Sequence, residues 1–142
     1  MNFERSQSAG YLLNHIARLF HEELRQQIAP LGIVPGQFPI LLALWERDGV
    51  TQKALLEMIN VEQATMANTL NRMERDGLVV REAHPEDARA RNIYLTERVK
   101  ALKEDAYAIA SGINQAALMR LNDDEQSAFL GFLRKIVETM KD

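Results

Sequence analysis

The sequence predicts a mainly α-helical protein carrying one small β-hairpin, and three observations support this. Apolar residues recur three and four apart along most of the chain, the period of helices with one buried face. Two short apolar runs, Leu78 to Val80 and Ile93 to Leu95, depart from that period and flank a charged segment. The stretch from Thr51 to Thr96 sets these parts in a definite order. A helical pattern (Leu55, Leu56, Met58, Ile59) and a polar break lead to a second helical pattern (Met66, Leu70, Met73). The turn pair Asp76-Gly77 and the two apolar runs follow. Helix, turn, helix and a hairpin with a long charged tip is the order of a winged helix-turn-helix. That order suggests a reader of double-stranded DNA.

At 142 residues the chain is sized for one domain, or for one domain completed by elements of a dimer. A hydrophobic fraction of 46% supplies a core, and 26% charged residues make an ordinary surface. The absence of cysteine excludes a disulfide scaffold, a Cys-based zinc site and a thiol sensor. The start MNFERSQSAGYLL has no basic segment followed by an apolar block, so no secretory leader is expected. No apolar run approaches the roughly 18 residues of a membrane span, and the expected location is the cytoplasm. The net charge of −3 weighs mildly against nucleic acid, because neutralising phosphates needs Lys and Arg. Distribution matters more than the total. Arg72, Arg75, Arg81, Arg89 and Arg91 all fall within the second helix and hairpin of the central stretch, interleaved with Glu74, Asp76, Glu82, Glu86 and Asp87.

Leu13, Ile16, Ala17, Phe20, Leu24 and Ile28 mark an amphipathic helix from about Ser8 to Ala29, ended by Pro30 and Gly32. A helix this long and this near the terminus has little local chain to pack on. Its burial is expected to be completed by a partner subunit. Pro35 suits the first position of the next helix, with Phe38, Leu41, Leu42 and Trp45 on its apolar face. Pro39 lies four residues further in, which predicts an irregular first turn. Thr51 is the expected N-cap of a helix from Gln52, Asn60-Val61 breaks it, and Glu62 to Arg75 forms the next. Thr96 is the expected cap of a second long helix. Its Val99, Leu102, Ala106, Ile109, Ile113 and Ala116 form a heptad-like seam, interrupted by Gly112. Asn122 with Glu125 resembles a capping box for a last helix built on Phe129, Phe132, Leu133, Ile136 and Met140.

With Met66, Leu70 and Met73 turned inward, the preceding helix presents Gln63, Ala64, Ala67, Asn68 and Asn71 outward. A plain solvated face carries Lys and Glu. This one is small and amide-rich, as close approach in a major groove requires. The tip, His84-Pro85-Glu86-Asp87-Ala88-Arg89-Ala90, is longer than a hairpin needs. Asp87 is placed to hold Arg89 or Arg91 extended by a charge-assisted pair, although a flexible solvated loop fits the same spacing. No catalytic set is found. His21-Glu22-Glu23-Leu24-Arg25 begins like a zinc-protease helix, but Arg25 stands where the second histidine belongs. An enzyme is not expected, nor a metal or a cofactor.

The segments NRMERDGLVVRE and PEDARARNIYLTE, flanked by long helices, resemble the MarR family of bacterial transcriptional regulators. The first is similar to the family's end of recognition helix, Gly turn and first wing strand. The second is similar to its wing, with an Asp-x-Arg tip and a strand ending in Leu-Thr. The resemblance spans nearly the whole chain. It implies an N-terminal dimerisation helix over 1–34, a winged helix-turn-helix lobe over 35–96 and C-terminal dimerisation helices over 97–142, together forming one compact domain. It also implies a homodimer on a pseudo-palindromic operator, with the recognition helix in the major groove and the wing in the adjacent minor groove. The DNA contacts expected on that basis are Gln63, Thr65, Ala67, Asn68, Asn71 and Arg72 on the helix, and Asp87, Arg89 and Arg91 on the wing.

The chain departs from the family pattern at three places. Ala88-Arg89 stands where many relatives have two arginines, Asn68 where many have a basic residue, and Val99 where glycine is common. Asn68 suits adenine, through paired contacts to N6 and N7. The family further implies a small aromatic or amphipathic acid as effector, bound between the dimerisation helices and the lobe. Tyr11, His15, Arg18, Phe38 and Trp45 lie on helices that could border such a cleft, while Phe38 and Trp45 equally suit the core and His15 the surface. The expected function is a DNA-binding repressor released by an effector. The alternative is a winged-helix protein-interaction module without sequence-specific DNA binding, which the neutral Asn68 favours and the charged wing opposes.

Overall fold

The computed structural model describes residues 2–141. In chain order the elements are α1 (Ala9–Ile28), α2 (Phe38–Glu46), β1 (Val50–Thr51), α3 (Gln52–Met58), α4 (Gln63–Arg75), β2 (Val79–Ala83) and β3 (Arg91–Leu95). Three further helices follow, α5 (Glu97–Lys100), α6 (Lys103–Ala117) and α7 (Asp123–Lys141). The chain divides into two compact units, Met1–Ile109 and Ala110–Asp142, with the boundary inside α6.

In the first unit, Ser8 caps α1 by accepting the Tyr11 N–H at 3.2 Å. The helix ends through a 3₁₀ turn and Gly32, which sits in the left-handed region at φ 78°. A second 3₁₀ turn over Pro35–Gln37 precedes α2. The irregular start expected from Pro39 is therefore present, but shifted. The α-helix proper begins at Phe38, so Pro39 lies in the first turn, where a missing N–H removes no helical bond. The segments Ala9–Leu31 and Pro35–Glu46 turn by 90° at this junction. Ile28, Ile33, Phe38, Ile40, Leu41, Leu44 and Trp45 are buried there. Trp45 meets Phe38 and Tyr107 edge-on, at 6.2 and 6.0 Å between ring centres, and its indole N–H donates to the Val99 carbonyl at 3.0 Å.

The sheet is antiparallel in the order β1-β3-β2. β1 has no sequence signature, because two residues are too few to show alternation. It exists because Val50 pairs with Ile93, so that both bury on the same face. Thr51 ends this strand and also caps α3, accepting the Ala54 N–H at 3.1 Å. Gly49, before the strand, adopts φ 72°, and a Cβ there would lie 2.6 Å from Cε1 of Tyr94.

The long helix expected from Thr96 onward is two helices. α5 stops at Lys100, and Ala101-Leu102 turn the chain into α6. Thr96 occupies the N-cap position without its side chain capping. Its hydroxyl instead donates to the Gly77 carbonyl at 2.9 Å, so the side chain is committed to a tertiary partner. In the second unit, Asn122 and Glu125 form the expected reciprocal box, at 2.9 and 2.8 Å. α6 runs through Gly112 uninterrupted, with open space beside its α-carbon. No residue of α7 is buried, and Leu130, Phe132, Ile136, Val137 and Met140 are exposed. Among the described residues no single helix is long and apolar enough to cross a membrane.

Gly49 and Gly77 separate two costs of adding a methyl group. Both have positive φ, but Gly77 has open space around its α-carbon. Gly77→Ala should cost about 1–2 kcal/mol from left-handed backbone strain alone. Gly49→Ala adds the Tyr94 clash and should lower the urea midpoint further. Equal midpoints for the two variants would contradict this packing.

Candidate nucleic-acid interface

α4 is oriented by what it buries. Met66, Leu70 and Met73 are fully enclosed, and the helix lies against α3 and β2. Its C-terminus closes with the Leu78 N–H donating to the Met73 carbonyl at 2.8 Å and Gly77 N–H to Glu74 at 3.2 Å. That pair of bonds, with Gly77 at φ 75°, is a Schellman motif. It turns the chain directly into β2. Thr96 N–H then donates to the Leu78 carbonyl at 3.1 Å, tying the end of the hairpin to the end of the helix.

The opposite side of α4 is open. Gln63, Thr65, Asn68, Asn71 and Arg72 are exposed and Ala67 is half-buried. Asn71 differs from the others: its side-chain oxygen accepts an N–H from Arg81 of β2 at 2.9 Å. This side chain, expected to face DNA, is thus engaged as a strut between α4 and the hairpin. Arg81 stands opposite Ile93 in the strand register, on the face of the sheet that carries the core residues Val79 and Leu95.

The tip is ordered by its backbone. Asp87 does not pair with a guanidinium, as its spacing had suggested. Its Oδ1 accepts the backbone N–H of Arg89 at 3.0 Å, and its carbonyl accepts the Ala90 N–H at 3.1 Å. A short carboxylate reaches a backbone N–H two residues on more readily than a long, solvated side chain can be held. His84 Nδ1 likewise accepts the Glu86 N–H at 3.0 Å. Arg89 and Arg91 remain exposed, with no carboxylate partner among the described residues.

Between the hairpin and the start of α3 lies a cleft of about 600 Å³, whose lining includes Lys53, Arg81, Arg89 and Arg91. Sequence reasoning did not assign Lys53 or Arg81 to the site. Arg81 carried a signal, a charge two residues from Val79 on the inward face of a strand. Lys53 carried none, since only the fold brings it to the wing.

The residues expected at an effector cleft are not gathered in one place. Phe38 and Trp45 are core residues, at 4% and 7% exposure. Tyr11, His15 and Arg18 do share a surface depression of about 300 Å³ on α1 with Asn14. On the same helix Arg25 grips Glu22 through a two-point pair at 2.6 and 3.0 Å, which with Gln26 holds the Glu22 carboxyl at about 2.

A model of the MarR family matches residues 33–90, from the α1–α2 junction to the end of the tip. The transcriptional regulator HosA of Escherichia coli O111:H- is 35% identical over 123 residues, which are 87% of this chain and 86% of that protein. The chain belongs to the MarR family. Solved structures agree. A probable transcriptional regulator from Pseudomonas aeruginosa superposes with a TM-score of 0.85 at 26% identity, covering 94% of this chain and 99% of that one. MepR of S. aureus, solved as a DNA complex, gives 0.86 at 25% identity, covering 93% and 98%. The winged helix-turn-helix expected from the order of elements is thus the architecture of this MarR-family transcriptional regulator.

The bond from Asp87 to the Arg89 amide gives a direct prediction. Asp87→Ala should speed hydrogen exchange at the Arg89 amide, while Asp87→Asn, which retains an oxygen acceptor, should keep most of the protection. Equal exchange in the two variants would show that charge, and not the backbone cap, orders the tip.

Proposed function

We propose that this regulator acts as a homodimer that binds a pseudo-palindromic DNA operator and represses transcription there. The observation that carries this reading is the geometry of α4. Its amide-rich side is open, and its buried side and C-terminus are fastened to a wing whose Arg89 and Arg91 are exposed. In the proposed complex α4 enters the major groove, with Gln63, Thr65, Ala67, Asn68 and Arg72 toward the DNA, and Arg89 and Arg91 approach the adjacent minor groove. Asp87 holds the tip, and Asn71 fixes α4 to the hairpin. The crystallised complex of MepR with DNA supports this assignment. The alternative, a protein-interaction module, gains nothing from an ordered tip whose cations point to solvent. No catalytic step belongs to the proposal, and the cytoplasm is the compartment where such DNA is met.

Dimerisation is supported by apolar surface that each unit leaves uncovered. In the first unit Tyr11, Leu12, Ile16 and Leu19 of α1 are exposed, and in the second α7 buries none of its residues. Fully burying such a side chain is worth about 1.5–3 kcal/mol, and covering what these leave open is worth roughly half of that each, so several together stabilise an association. We assign 1–34 and 97–142 to this role, around a DNA-binding lobe over 35–96. The dyad would set the half-sites about one helical turn apart, roughly 34 Å.

The primary experiment is titration of the purified protein against DNA flanking its own coding region, at two salt concentrations. Selective binding of one dimer per site is expected. Arg89→Ala should weaken binding to every sequence and flatten the salt dependence. Asn68→Ala should relax preference at one base pair by about 1–3 kcal/mol. Equal losses from both variants on all sequences would refute this division of roles.

We also propose that the depression on α1 holds a small aromatic or amphipathic acid, with Arg18 and His15 taking the carboxylate and Tyr11 flanking the ring. Release from DNA requires the effector to prefer the unbound form by several kcal/mol. Replacing His15 and Arg18 together with alanine should abolish release by benzoate-like acids while leaving operator affinity intact. Unchanged release would remove these residues from the effector site.

A further inference from the structure

The contacts assigned to α4 and the wing tip leave one feature without a role. This is the cleft between the inner face of the hairpin and the start of α3, of about 600 Å³. Its lining carries Lys53, Arg81, Arg89 and Arg91, with Asp87 as the opposing carboxylate and His84 beside it. The local acceptors are largely spent within the tip. Asp87 Oδ1 takes the Arg89 N–H and His84 Nδ1 takes the Glu86 N–H. Among the described residues none of the four cations has a carboxylate oxygen within 4.0 Å. In a chain of net charge −3, this is a local concentration of uncompensated positive charge.

Arg81 makes the cleft specific. Its guanidinium is half-tied: one terminal nitrogen donates to Asn71 at 2.9 Å, and the buried Nε–H has no acceptor. A guanidinium fork presents its donors in fixed directions, so the bond to Asn71 also fixes where Nε and the remaining nitrogen aim. A buried donor left unmet is destabilising, and an anionic oxygen drawn to this guanidinium would relieve that. Arg81 stands opposite Ile93, itself part of the cleft lining. The donor therefore belongs to the inner face of the wing, beside α4 and not at the tip.

We infer that this cleft seats a backbone phosphodiester of the bound duplex, with Arg81 at its floor and Lys53 and Arg91 on its walls. The inference rests on the DNA-binding reading and deepens it. A helix in the major groove and a wing in the adjacent minor groove have one sugar-phosphate strand running between them, and the cleft, between the hairpin and the start of α3, is linked to α4 by the Arg81–Asn71 bond. Arg81 then has two tasks. It neutralises a phosphate, and through Asn71 it locks the wing to α4 when the strand is in place. Asn71 is accordingly a positioning residue and not a base contact.

The test is operator binding over a range of salt concentrations, with folding of each variant checked by circular dichroism. Arg81→Met keeps the stem and loses the charge. Affinity should fall roughly ten- to hundred-fold, the loss expected for a charge-assisted bond. The slope of log affinity against log salt should fall by about 0.9, the value for one phosphate. Lys53→Ala, at an exposed position, should lower the slope by a similar amount, and it carries the test if Arg81→Met does not fold. Asn71→Ala should weaken binding in the parent chain and have no further effect beside Arg81→Met. Base preference should be unchanged throughout. Wild-type affinity and slope in both Arg81→Met and Lys53→Ala would overturn the seat, as would additive effects of Asn71→Ala and Arg81→Met or a changed base preference. The two readings fail differently. If the wild-type protein does not bind DNA selectively, the functional proposal falls with the seat. If it binds and Asn68→Ala alters base preference while the cleft variants are silent, only the seat falls.

Discussion

The complete burial of one face of α4 is the constraint on which the lobe depends. Met66, Leu70 and Met73 have no solvent exposure, and neither have Leu55 of α3 or Val79 of β2. Each such side chain contributes about 1.5–3 kcal/mol by leaving water. Rotating the helix by even a third of a turn would forfeit several of them. The buried face therefore dictates the open one. Gln63, Thr65, Asn68 and Arg72 are held outward by residues enclosed in the core, and their identities are free of packing demands.

Hydrogen bonds then fix what burial leaves adjustable, the angle of the hairpin. Leu95 N–H donates to Asp48 Oδ1 at 2.9 Å, Thr96 bonds back to Gly77 and Leu78, and Arg81 reaches Asn71. These ties bridge 10 to 47 positions of sequence, so each closes a loop as well as satisfying a polar group. The Glu22–Arg25 pair on α1 is a useful contrast. It is the tightest ion pair among the described residues, at 2.6 Å, and depresses the Glu22 carboxyl to about 2, yet both side chains are about half exposed. Water screens it, and it joins residues already neighbours on one helix turn. The modest ties to the hairpin matter more to the architecture than this strong local one.

Charge follows the same logic of position over total. A net charge of −3 would repel a polyanion only if it were spread evenly. Here Asp76, Asp48 and Asp87 are occupied by hydrogen bonds within the fold, while among the described residues Lys53, Arg89 and Arg91 have no carboxylate partner. Folding sorts an acidic chain into a locally cationic cleft. The apolar residues of α1 and α7 make a parallel point about size, since a chain of 142 residues leaves part of the hydrophobic surface of both helices uncovered.

Side-chain spacing in the sequence determined most of the helices, the face that α4 buries and the existence of the hairpin, because these are local consequences of that spacing, but it ran α5 and α6 together as one helix. Capping chemistry at Thr51 and Asn122 was legible for the same reason: each partner lies three residues away. Tertiary structure alone decided what depends on remote partners. β1 exists only because Ile93 lies opposite Val50. Thr96 gives its hydroxyl to Gly77 and leaves its own helix uncapped, and Phe38 and Trp45 join the core. At the site, the exposure of Gln63 and Asn68 was readable from their distance in helical phase from Met66. The engagement of Asn71 by Arg81 and the approach of Lys53 to the wing were not. Those partners are distant in sequence, and a spacing rule reaches only as far as the element that repeats it.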